Sequence, residues 1–161
     1  MLEQLKKEVY EANKLLAKYN LTTFTWGNVS GISRKHGLIV LKPDGMMAED
    51  ITQDDMVVVN MDGLEVEGRH QATPDSLTHI ELYRAFPYIN GIAHSHARWC
   101  TIFAQMGLGI PALGTTHADY FHGEIPCTRK LRAYEIRGDY ERETGSVIAE
   151  RFRKGKLDPE E

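Results

Sequence analysis

Three side chains near the middle of this 161-residue chain could do chemistry together: His94 and His96, separated only by Ser95, and the upstream carboxylate Asp75. The apolar run Gly91-Ile92-Ala93 leads into the histidines and reads as a buried strand. Side chains alternate across a strand, so His94 and His96 project from one face and Ser95 from the other. Two imidazoles spaced roughly 6–7 Å apart at the backbone can converge on one divalent metal. The plainer alternative is a histidine pair held by ordinary hydrogen bonds. Zinc takes three or four protein ligands, so a further partner must come from elsewhere.

Asp75 is the candidate partner. Thr73-Pro74-Asp75-Ser76 reads as a helix start, with Thr73 as N-cap, Pro74 at the first helical position and Asp75 at the positive end of the dipole. There Asp75 could simply favour the dipole, or it could act as a metal ligand or general base. His79, four residues on, could orient it, although a satisfied buried histidine explains that position as well. A second group of proton-handling residues, Thr115-Thr116-His117-Ala118-Asp119-Tyr120, places hydroxyl, imidazole, carboxylate and phenol within six positions. Gly27-Asn28 and Lys42-Pro43-Asp44-Gly45 are turn material, and such turns can also present backbone N–H groups to an anion.

Elements must hold these residues in place. Leu2, Leu5, Val9, Ala12, Leu15 and Leu16 recur at helical spacing, so the chain opens with an amphipathic helix. Leu21 to Ser33 reads as two short strands around Gly27-Asn28, and Gly37 to Leu41 as another. Met56–Asn60 and Leu64–Val66 flank Met61-Asp62-Gly63, which predicts a hairpin with a type I′ turn. A helix from the Thr73 region runs to Phe86 and stops at Pro87. Ala97–Met106 is a helix with Trp99, Ile102, Phe103 and Met106 inward and Gly107 as its stop. Residues 115–127 are irregular with short strands. The last helix lies within Glu135–Arg153, with a break at Gly138 or Gly145. Helices mixed with hairpins give an α/β fold with a largely antiparallel sheet.

Bulk properties narrow the function. The net charge is −4, with no basic cluster, which argues against a nucleic-acid footprint. No apolar run approaches the ~20 residues of a membrane span, and the first residues lack a signal-peptide core. Only Cys100 and Cys127 occur, without C-x-x-C spacing, so a reducing, cytoplasmic setting is expected. No dinucleotide fingerprint is visible.

The segments Thr25-Trp26-Gly27-Asn28-Val29-Ser30, Asp54 to Val59, Gly91 to His96, Gly114 to Phe121 and Ile125 to Arg129 resemble the class II aldolase/epimerase (aldolase–adducin) family. The likeness runs over almost the whole chain, and Thr-Thr-His-Ala-Asp-Tyr-Phe favours the epimerase branch. The resemblance implies one domain over residues 1–161, an α/β/α sandwich around a mostly antiparallel sheet, and a homotetramer with sites between subunits. It also implies a divalent metal, most often zinc, held at His94, His96 and Asp75. Asp119 matches a catalytic acid/base that reaches a neighbouring subunit's site. Gly27, Asn28, Gly45 and Thr73 match positions that bind a sugar or sugar phosphate, as do Asp44 and Pro74 by place. The implied reaction inverts C4 of a pentulose like L-ribulose 5-phosphate by retro-aldol cleavage and re-addition, in pentose (arabinose) breakdown. An aldolase acting on a small hydroxy-carbonyl sugar, or an inactive adducin-like interaction module, are the alternatives.

Three departures from the family pattern bear on this reading. Asp44 stands where the family has serine, placing a carboxylate where a phosphate would be welcomed by a hydroxyl. Thr73-Pro74 replaces Ser-Ser, and proline carries neither hydroxyl nor N–H. Both changes point to a neutral or differently placed polar group on the substrate. The family also continues past the position of Glu161, with a third metal histidine and another acid. A chain without that part is expected to show an open sheet edge and exposed apolar surface.

Overall fold

The computed structural model describes residues 2–157. Its centre is a five-stranded sheet built from β1 (Asn28–Ser33), β2 (Leu38–Leu41), β3 (Val57–Asn60), β4 (Glu65–Glu67) and β5 (Gly91–His94), in the spatial order β4-β3-β2-β1-β5. Every pairing is antiparallel. The helices are α1 (Glu3–Lys18), α2 (Ser76–Ala85), α3 (Arg98–Met106), α4 (Thr115–Ala118), α5 (Ala133–Arg137) and α6 (Tyr140–Gly155). Among the described residues no helix is long and apolar enough to cross a membrane.

The sheet is covered on both faces, which is why β2 and β3 are continuously apolar. Ile39, Leu41, Val57 and Val59 pack with Ile80 and Tyr83 of α2. Val40 and Val58 point the other way and pack with Val9 of α1. All six strand residues are fully buried, a pattern that burial on two sides requires. α6 lies against α2, joined by Phe86 and Phe152 with ring centroids 5.5 Å apart. The architecture is the expected α/β/α sandwich, with the sheet wholly antiparallel.

Close approaches are made at two glycines. A Cβ at Gly31 of β1 would lie 2.8 Å from Leu5 and 2.9 Å from Val9 of α1. One at Gly145 of α6 would lie 2.7 Å from the Glu81 Cβ and 2.8 Å from the Thr78 carbonyl of α2. Gly145 therefore permits contact and does not break the helix; the break falls at Gly138, the C-cap of α5.

The expected hairpin forms between β3 and β4, but its turn differs. Gly63 alone of the turn residues takes positive φ, whereas a type I′ turn needs two. The Asn60 side-chain oxygen accepts the N–H groups of Asp62 and Leu64 at 2.9 and 3.0 Å, which selects a longer turn. Among the described residues before β1 there is no strand, only a bridge between Thr23 and Trp26. Asn13 of α1 takes the place of a strand partner there. Its amide accepts the Val29 N–H at 2.9 Å and donates to the Val29 carbonyl at 3.1 Å.

α3 corrects the expected inward face: none of its residues is buried, and Trp99 is 73% and Met106 63% exposed. The periodicity marks an apolar stripe correctly, but the described chain lays no core against it. Residues 115–127 contain one helical turn and a single bridge, Ile110 to Ile125, in place of short strands. The strand before the histidines is likewise not buried: β5 forms the sheet's edge and alternates exposed and half-buried. The opposite edge, β4, carries Glu65 and Glu67.

Replacing Gly145 with valine should lower stability by about 1–3 kcal/mol, because the new side chain meets backbone of α2. Urea unfolding of Gly145→Val against the parent checks this, and an unchanged midpoint would refute the close α2–α6 contact.

Candidate metal and sugar site

The site lies where the N-terminal end of α2 faces the start of β1 and the end of β5. Asn28 pairs with His94 across the β1–β5 ladder. That register puts the side chains of Asn28 and His94 beside each other on the α2 face. Asp75 sits above them as the N-cap residue of α2, two positions later than the Thr73 N-cap predicted from sequence. Its backbone is already helical and its carboxylate makes no capping bond. Instead Oδ2 accepts from Asn28 Nδ2 at 2.7 Å and from His94 Nδ1 at 3.1 Å. The His94 bond and charge, with Asn28, hold the Asp75 carboxyl below the usual range against the opposing effect of burial. Asp75 is thus an anion at neutral pH.

His96 lies beyond the end of β5, not inside the strand. Its backbone N–H donates to the Leu21 carbonyl at 2.8 Å, fixing it against the segment after α1. The two imidazoles nevertheless come together, with ring centroids 4.9 Å apart and planes tilted by 50°. Trp26 packs on the other side of His96, centroids 5.5 Å apart. Burial and the neighbouring His94 push the His96 imidazole below its ordinary pKa, favouring the neutral, ligating form.

A cleft of about 390 Å³ opens over this group, lined by Thr25, Trp26, Asp44, Thr73, Pro74, Asp75, His94 and His96. Three residues singled out by the turn and helix-start readings, Asp44, Thr73 and Pro74, therefore meet the histidines at one place. Gly27 lies behind the wall with φ +93°; a Cβ there would press to 3.1 Å on the His94 carbonyl. Gly45 takes φ +65° in the turn that carries Asp44. Asn28 is nearly fully buried, and its Oδ1 is a buried acceptor with no partner. Because Nδ2 is committed to Asp75, the amide cannot rotate to relieve this.

Lys42 was readable from the sequence only as turn material, yet it is the buried cation of the site. Its Nζ donates to the carbonyls of Pro43, at 3.2 Å, and Met46, tying down the Asp44-Gly45 turn. Burial pushes its pKa below 10.5, while Asp44 and Asp75 oppose that shift. The available signal was a lysine ending the apolar run Leu38–Leu41.

His79 is the satisfied buried histidine that the plainer reading describes. Its Nδ1 bonds Ser30 Oγ at 2.7 Å and makes no hydrogen bond to Asp75. The cluster at 115–120 does not join the cleft within one chain. Asp119 is exposed at the C-cap of α4, and His117 Nε2 is spent on the Gly123 carbonyl at 2.6 Å.

The donor set suits a divalent cation in part. A histidine whose Nδ1–H is held by a carboxylate presents Nε2 with a fixed tautomer, a common arrangement around bound metals, and His96 stands ready beside it. Asp75, expected among the ligands, has its carboxylate turned to Asn28 and His94 and orients the His94 imidazole. Among the described residues no group of three or more His, Cys, Asp or Glu side chains is disposed to hold a metal.

An α/β/α sandwich with a histidine pair at the end of its edge strand defines a class that sequence comparison identifies. The chain belongs to the class II aldolase and adducin N-terminal domain family, which it matches over residues 7–157. It is 51% identical over 158 residues to L-ribulose-5-phosphate 4-epimerase UlaF of Salmonella paratyphi B, covering 98% of this chain and 68% of that one. By this kinship it is an enzyme of the epimerase and class II aldolase type. Among solved structures, an L-fuculose 1-phosphate aldolase superposes with a TM-score of 0.74 at 23% identity, over 89% of this chain and 68% of that one. The L-fuculose-1-phosphate aldolase of Thermus thermophilus gives 0.72 at 21%, over 96% and 73%. These two likenesses establish the fold.

The pH dependence of folding should carry the mark of His79. Burial pushes its imidazole from 6.5 down to about 4. Between those values the unfolded chain binds a proton that the folded one refuses, so stability is lost as pH falls through this window. Denaturant titrations at stepped pH should show that slope, and His79→Asn should flatten it.

Proposed function

We propose that the protein inverts C4 of a pentulose such as L-ribulose 5-phosphate by breaking and remaking the C3–C4 bond. The observation that carries this is the Asp75-locked His94 set against His96 at the floor of an open polar cleft, in a chain half identical to a named 4-epimerase. A divalent cation, most often zinc in such chemistry, would be held by the two imidazoles and would supply a Lewis acid for the ketose oxygens. The resemblance places a third histidine ligand in the part of the family pattern that follows the position of Glu161.

The chain's own groups have separate tasks. Asp75 keeps His94 in the Nδ1–H tautomer. Asn28, nearly fully buried beneath the cleft, donates to Asp75 and so keeps that carboxylate turned toward His94 below the substrate. Gly27, Thr73, Pro74 and the Asp44-Gly45 turn shape the cleft around the sugar. Loss of the C4 hydroxyl proton lets the C3–C4 electron pair move toward C2, giving an enediolate and an aldehyde. The aldehyde turns and is attacked on its other face, and the proton returns to the new C4 oxygen. Asp119 is the acid/base for that proton, and since it stands apart from its own cleft, it serves the cleft of another subunit. The exposed Trp99, Met106 and Tyr120 fit a homo-oligomer, a tetramer in this reading. Two free cysteines suit a cytoplasmic setting.

Incubation of metal-loaded protein with L-ribulose 5-phosphate should yield the C4 epimer without accumulating aldehyde. Free glycolaldehyde phosphate building up would assign an aldolase, and no turnover in either sense would overturn the proposal. His96→Ala should reduce bound metal, measured by atomic emission, to a small fraction of the parent value with an unchanged circular dichroism spectrum. Asp44→Ser should tighten a phosphorylated ketose about fivefold by removing a like charge; equal affinities by calorimetry would place the phosphate elsewhere.

A further inference from the structure

α2 is tied to β1 by a polar ladder whose buried inner rungs the proposed mechanism does not use. Asp75, His79 and Tyr83 follow one another at intervals of four residues along one face of the helix. Opposite them, Asn28 and Ser30 are alternate residues of β1 and share its α2 face. Asn28 bonds Asp75 at 2.7 Å, and Ser30 Oγ bonds both His79 Nδ1 at 2.7 Å and Tyr83 Oη at 2.8 Å. The spacings match: four helical residues rise about 6 Å and two strand residues about 6.8 Å. Just past β1, Arg34 completes the series. It donates to the carbonyls of Tyr83 and Phe86 at 2.9 Å and of Ile89 at 2.6 Å, and it lies over the Tyr83 ring.

Ser30, His79 and Tyr83 are all buried, beside or within the aliphatic cluster of Ile32, Ile39, Leu41, Ile80 and their neighbours. Leucine-sized side chains would fill such a place with no polar desolvation cost. Apolar packing is non-directional, however, and tolerates small sliding and rotation of a helix on a sheet. Directional bonds at matched intervals do not. The first rung is the one that puts the Asp75 carboxylate on His94.

We propose that Ser30, His79 and Tyr83 are positioning residues: they set the axial position and rotation of α2 on β1, and so hold Asp75 at hydrogen-bonding distance from His94. The proposal rests on Asp75–His94 being the working pair. Its first test needs neither substrate nor metal. In the parent protein, long-range ¹⁵N–¹H spectra at pH about 8, where ordinary imidazoles are neutral, should show His94 as a single Nδ1–H tautomer. Ser30→Ala and His79→Leu should convert it to a mixture of both tautomers. His79→Asn, whose amide stands in for Nδ1 toward Ser30, should restore the parent signal. Tyr83→Phe removes one oxygen and keeps the ring, so it serves if the other variants fold poorly, and it should give a smaller change of the same kind.

With substrate, His79→Leu should lower kcat about tenfold with KM within about twofold, as expected for misplacement of a reacting group. His94 remaining wholly Nδ1–H in Ser30→Ala, His79→Leu and Tyr83→Phe would overturn the proposal, whatever their stability. Failure of the epimerase reading would instead leave the tautomer change intact and abolish turnover in the parent as well.

Discussion

The hydrogen bond from His94 to Asp75 depends on two separate features of the fold at once. The two residues come from different elements on different layers, and neither can reach the other unless the β1–β5 register and the seat of α2 are both correct. Asn28 stands at the meeting point: it is paired with His94 in the ladder and bonded to Asp75 across the layer boundary. Its amide orientation is dictated by Asp75, so its oxygen is left facing no partner. A buried acceptor without a donor costs on the order of 1–3 kcal/mol. Folding tolerates that cost because the same amide fixes the Asp75 carboxylate against His94.

Electrostatics around the cleft follow from the same arrangement. Two carboxylates, Asp44 and Asp75, stand over a single buried ammonium, Lys42, and the nearby imidazoles are held neutral, His79 by deep burial and His96 by partial burial. Neutral imidazoles are nucleophilic lone-pair donors, and an anionic Asp75 makes His94 a better one. The turn bearing Asp44 is not loosely placed. Lys42 holds two of its carbonyls from below, and the Asp44 N–H donates to the Gln71 carbonyl at 2.9 Å.

Much of this was legible in the sequence wherever a residue's neighbours along the chain decide its conformation. The helices α1, α2 and α6 and the β3–β4 hairpin follow from local pattern; His94 and His96 meet as expected, but with His96 outside the strand and fixed by the Leu21 carbonyl. What escaped was set by groups distant in sequence. Asp75 forgoes the capping role because Asn28 and His94 compete for its carboxylate. β5 looked buried because Ile92 and Ala93 are apolar, yet an edge strand shows the same composition. Asn13, an ordinary polar residue in a helix repeat, substitutes for a missing strand. Lys42 was indistinguishable from the turn it precedes. α3 carries a clear apolar stripe, and no sequence rule states whether its cover lies in the same chain.

The two margins of the sheet are unlike. β4 carries two glutamates, like charges that discourage another backbone from zipping alongside. β5 has glycine, isoleucine, alanine and histidine, and no such guard. The unguarded margin is thus the one that ends at His94, so a disturbance of that edge reaches the cleft directly, whereas one at β4 does not.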